Sequence, residues 1–153
     1  MPRTTEAISM VPADVEVSQD NATWVDLSPY GSSVGISGGD RRIGELNVFD
    51  DERPIVKAGK KASQVLTIRY VYTEEVAGPF DTIRGWDDAE GGVIYARYWP
   101  QGKVDGAGHF VFTTGKAILT SFLDPGGEAG SGEVVVCEIT ITMEELSKAV
   151  WVS

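Results

Sequence analysis

His109 is the only histidine and Cys137 the only cysteine in this 153-residue chain, so nucleophilic or metal chemistry would have to be built around one of each. A Ser/His/Asp or Cys/His nucleophile needs a base beside it and a third group to orient that base. His109 alternates with Phe110 and the neighbouring residues of a short strand-like run flanked by glycines, where a partly exposed strand position accounts for it. Cys137 falls on the apolar face of another strand-like run and reads as a packed small hydrophobe. A histidine metal centre is excluded by count, and one cysteine makes neither a thiolate zinc site nor an intrachain disulfide.

Acids are the remaining candidates. Asp50-Asp51-Glu52, Glu74-Glu75, Asp87-Asp88-Glu90 and Glu144-Glu145 have the chemistry for calcium or for acid–base work. None has the alternating acids, central glycine and closing glutamate of an EF-hand loop, and adjacent acids are expected without any site in a chain of net charge −10. Gly35-Ile36-Ser37-Gly38-Gly39 lacks the GxGxxG order, and no phosphate-loop lysine follows it. Trp24, Trp86, Trp99 and Trp151 with five tyrosines have the makings of a sugar-binding face, yet such residues are more often core or interface. The expectation is a chain with no catalytic set, no metal and no cofactor.

Charge placement is more informative. A net charge of −10 and a pI near 4.5 argue against binding nucleic acid by phosphate neutralisation. Within this acidic chain, Arg53, Lys57, Lys60, Lys61 and Arg69 occupy a stretch with no Asp or Glu between Glu52 and Glu74. A basic segment of that kind invites an acidic partner, and the nearest one is another copy of the chain. These five residues are therefore the candidate subunit-interface residues.

The elements that must position them read mainly as strands. Val65–Thr73 alternates, with Leu66, Ile68, Tyr70 and Tyr72 on one face and Thr67, Arg69 and Val71 on the other. Pro79 suits a first helical position, Asp81 the first turn, and Phe80, Ile83 and Trp86 recur at helical spacing, which predicts one amphipathic helix. Further strands are expected at 14–17, 22–27, 33–37, 43–49, 93–99, 109–114, 116–123 and 133–143. The last has Cys137, Ile139, Ile141 and Met143 on its core face. Residues 1–13 read as an arm, 50–63 as a long basic loop, and 143–153 as a brief helical turn or docked arm. The whole is one domain: a β-sandwich or small barrel of about eight strands with one flanking helix. No run is apolar enough for a membrane helix, and the first residues lack a signal peptide's apolar stretch, so a soluble protein made in a cytoplasm is expected.

In order and character these segments resemble the major tail, or tail tube, proteins of long-tailed bacteriophages. The resemblance runs from the turn Asp26-Leu27-Ser28-Pro29-Tyr30, through a long loop and the strand Ser63–Tyr72, to a helix at Pro79–Asp88 and a return of strands ending near Met143. It implies a structural virion subunit, a β-barrel closing six to a ring, with rings stacked into a tube through which DNA passes without specific binding. It further implies that inner strands of neighbouring copies join, that arm and loop bridge rings, and that partners are the chain itself and terminator and tip or baseplate proteins. The place implied is the virion tail, assembled in the bacterial host cytoplasm. The acidity would suit a lumen that repels phosphate. A terminator of the same fold, or the related tube of type VI secretion, fits the same features. An alternative of another class is a β-sandwich binding module recognising sugar or peptide through its aromatics.

Overall fold

A computed structural model describes residues 13–50, 52–76, 78–89, 91–106, 108–126, 130 and 132–152. Its elements are β1 (Asp14–Ser18), β2 (Trp24–Asp26), β3 (Gly31–Gly38), β4 (Arg41–Leu46), β5 (Ile55–Lys61), β6 (Gln64–Val71), α1 (Pro79–Asp88), β7 (Val93–Trp99), β8 (Phe110–Thr113), β9 (Ala117–Leu123), β10 (Val136–Met143) and β11 (Ser147–Val150). The mainly β fold with a single helix is as the patterning predicts. The eleven strands exceed the expected eight or so because β5 and β11 form where a loop and a helical turn or arm are expected. The proposed N-terminal arm lies almost wholly outside the described residues.

Two sheets share β7. The front sheet runs β9-β10-β6-β3 and is joined to β7 only through Val93 and Ile94. The back sheet runs β2-β1-β7-β8-β11 and uses the other end of β7. Every ladder is antiparallel, and β6 lies between β10 and β3, paired from Gln64 to Val71 on its β10 side.

Period-two patterning decides what fills the space between the sheets. Leu66, Ile68 and Tyr70 of β6 face the same interior as Cys137, Ile139, Ile141 and Met143 of β10, and all seven are at most 2% exposed. Burying an aliphatic side chain of this size stabilises by about 1.5–3 kcal/mol, so these two strands anchor the fold. Tyr72 is only half-buried, since it lies past the end of the ladder and packs edge-on against Phe80 at 4.9 Å. Helix α1 begins at Pro79 with no side-chain cap and places Phe80 and Ile83 in the core, closing one end of the front sheet beside β9. Its outer face carries Asp81, Asp87 and Asp88 to solvent.

Strands β4 and β5 form a separate two-stranded sheet paired from Leu46–Ile55 to Ile43–Ala58 and, past a register shift, at Arg41–Lys61. This ribbon continues the β3–β6 pairing across a kink, where Gly39 N–H donates to the Ser63 carbonyl (3.1 Å) and Ala62 N–H to that of Asp40 (2.8 Å). Gly38 and Gly39 both have φ of 80°, and a Cβ at Gly38 would stand 2.6 Å from the Ser63 oxygen. Only glycine fits such an approach in that conformation.

Candidate assembly surfaces

Sequence patterning places the five basic candidates in one stretch; the folded chain divides them. Lys57, Lys60 and Lys61 stand on β5 and Arg53 in the turn leading into it, so the segment expected to be a basic loop is half of a hairpin. Arg69 is elsewhere, on the open face of the front sheet, where its Nε lies 3.3 Å from Glu138 directly across the ladder. Its charge is answered by Glu138 of its own chain.

All described residues of the hairpin, 41–50 and 52–61, are exposed. They include Ile43, Leu46, Ile55, Val56 and a fully exposed Phe49. A two-stranded ribbon alone in water is marginal, and this one buries neither face. Its composition, six Lys or Arg against four Asp or Glu over residues 41–61, is opposite in sign to the rest of the chain. The hairpin therefore offers apolar area and positive charge together.

The front sheet supplies a second surface. Its inner face is core, while Thr67 and Arg69 of β6, Glu138, Thr140 and Thr142 of β10, and Thr120 of β9 point outward. Thr120 Oγ1 donates to the Thr140 carbonyl at 3.1 Å and lies 3.2 Å from the Thr142 hydroxyl. On β3 the outward positions are Ser33, Gly35 and Ser37. The β3 border of this sheet is open, and the β9 border is open along its second half. Among described residues, β3 is paired on its β6 side alone, while β9 meets β7 at Ala117 and Ile118, its Leu119 N–H donates to the Gly92 carbonyl (2.7 Å), and beyond Leu119 it is paired on its β10 side alone.

By contrast, the β1–β7 part of the back sheet is covered by its own side chains. Glu16, 6% exposed, bonds Arg97 (2.7 Å) and Lys103. The Arg97 guanidinium stacks 3.9 Å from the Trp24 ring centroid and also lies over Trp99 and Trp151, which pack edge-on at 4.9 Å. Tyr98, on the opposite strand face, stacks on Phe112. Three of the four tryptophans are thus engaged with Arg97, and Trp86 packs against the core. A shallow cavity of about 250 Å³ beside Asn21, Trp24, Tyr95 and Thr113, and one of about 300 Å³ between β1 and β3, open to the surface.

Titratable groups outside these surfaces serve structure. Asp20 Oδ1 accepts from the Thr23 and Ala22 N–H groups and from the Ser18 hydroxyl at 2.8–3.0 Å, which lowers its pKa to about 2. Burial, helped by the charge of Asp124, raises the Cys137 thiol to about 11. His109 sits just before β8, where its carbonyl accepts from Trp151 N–H at 3.0 Å. No three His, Cys, Asp or Glu side chains come together as metal ligands among the described residues, and no helix among them is long and apolar enough to cross a membrane.

Neither a known sequence family nor a curated protein matches the chain. Solved structures do, and they define a class by fold: subunits of tail tubes and of related injection machines. A chain of the sheath–tube complex of an extracellular contractile injection system, PVC, is 17% identical with a TM-score of 0.63, covering 95% of this chain and 93% of that one. The SPP1 tail tube protein is 16% identical with a TM-score of 0.62, covering 96% and 81%. A chain of the anti-feeding prophage baseplate is 10% identical with a TM-score of 0.66, covering 98% of both. The chain has the tail tube fold.

Proposed function

We propose that this chain is a structural subunit of a phage-like tail tube, joining copies of itself edge to edge into rings that stack into a conduit. One observation carries the reading: a four-stranded front sheet with an unpaired β3 border, a β9 border free beyond its short β7 pairing, and an uncovered face, in a fold shared with tail tube subunits. Pairing β3 of one copy with β9 of the next extends the sheet head to tail, and a rotation that closes gives a ring. Six copies to a ring is the number carried over from the resemblance. The hairpin, apolar and basic, projects from the same strands and supplies the contact between rings, with Lys57, Lys60 and Lys61 meeting acids of the next copy. The role is structural rather than enzymatic. Partners are the chain itself and the proteins that end such tubes, the terminator and the tip or baseplate, and the place is the virion tail.

The edge contact is tested by proline. Neighbouring residues of a strand direct their N–H groups to opposite sides, so Gly35→Pro and Ile36→Pro remove donors from opposite edges of β3. One of the two should fold normally and stay monomeric in sedimentation at concentrations where the wild-type chain assembles. Two well-folded variants that both assemble like wild type would overturn this route to the ring.

A further inference from the structure

We propose that the open face of the front sheet is a charge-neutral wall, past which cargo moves with no fixed field for or against either sign of charge. The inference rests on the tube reading above and concerns what the conduit shows to its contents.

The geometry of ring closure selects this face. Copies that join through β3 and β9 make one continuous layer whose strands are about 4.8 Å apart. Behind that layer each copy carries the back sheet and α1, which need a larger circumference than the strands themselves. The bulkier layer takes the outside, and the outward face of the front sheet turns to the axis.

An acidic wall would follow if the net charge of −10 were spread evenly. It is not. Among the described outward positions of β3, β6, β9 and β10, the ionisable side chains are Arg69 and Glu138, held 3.3 Å apart and cancelling. Around them stand hydroxyls, Thr67, Thr120, Thr140 and Thr142, which both donate and accept, together with the exposed apolar Ile118 and Leu123 of β9. Other acids stand off these outward positions, among them Glu74, Glu75, Asp81, Asp87 and Asp88 on the approach to α1 and on its exposed side. Repulsion of phosphate, the property the composition suggests, is therefore absent from this face. A passing polymer, cationic or anionic, meets a surface able to hydrogen-bond weakly and unable to hold or repel it by charge.

The test uses tubes assembled from the full chain carrying Cys137→Ser and Thr140→Cys, with a fluorophore on the new thiol. Microscopy first establishes that tubes form, so failure of the tube reading is seen separately. A bulky dextran-linked maleimide should label Cys at 140 far more slowly in tubes than a small maleimide does; equal rates would place the face outside and overturn the proposal. Quenching by iodide, caesium and acrylamide at low salt then reads the local potential. The iodide-to-caesium ratio should stay within about two-fold of the free dye, whereas a potential of several kT at an acidic wall would lower it about ten-fold or more. Adding Arg69→Gln leaves Glu138 uncompensated and should lower the ratio at low salt and restore it at high salt. If Thr140→Cys does not fold, Thr67→Cys places the dye on the same face.

Discussion

Asp20 shows how a single exposed carboxylate can fix a turn. Its oxygen gathers two backbone N–H groups and the Ser18 hydroxyl between β1 and β2, and these bonds favour the charged form. Its folded pKa lies below the unfolded one, so its contribution is present above about pH 4 and fades as pH falls through about 2. Exchange of the Ala22 and Thr23 amides should quicken across that window, and Asp20→Ala should make it fast at neutral pH. Unchanged exchange in the variant would remove Asp20 from the account. Cys137 makes the opposite case. Fully buried, with its thiol raised to about 11, it should react with a disulfide reagent at pH 8 at least about ten-fold more slowly in the folded subunit than in denaturant. Its core position was readable from alternation alone, because a buried strand face declares itself at every second residue. The pairing of Arg69 with Glu138 was not readable, because the two are 69 positions apart in sequence and meet only through the register of β6 and β10.

Elements were readable in proportion to how much they bury. The helix has Pro79 at its start and Phe80 and Ile83 directed into the core, and its bounds agree with the pattern. Strand β5 hides from such reading because neither of its faces is buried: Lys, Gly and Ala follow one another with no period of two. Strand β11 is exposed along its whole length for the same reason and is held by β8 and by the contact of Trp151 with Trp99. The described residues of the β4–β5 hairpin are all exposed, so its amides should exchange within the time of mixing in the free subunit and become protected on assembly. Equal protection in both states would show that no copy covers it. Reversing Lys57, Lys60 and Lys61 to Glu should raise the concentration needed for assembly about ten-fold at low salt, with the gap narrowing as salt screens the contact. Assembly indifferent to both changes would leave the basic cluster without a role.

At the scale of the molecule, two layers share a strand, one with its β1–β7 part covered by its own side chains and the other open along β3, along the second half of β9 and on one face. A lone domain keeps such borders short or blocks them. Here β3 offers eight residues, six of them Gly or Ser, at a free border, and the hairpin that grows from it carries exposed Phe49 and Ile43. These are the features the proposed assembly would cover. Electron microscopy of the purified, concentrated chain tests the claim most directly. Hollow tubes of stacked rings, with the front sheet continuous from copy to copy around the channel, are the predicted result; a chain that remains monomeric at every concentration and salt would contradict it.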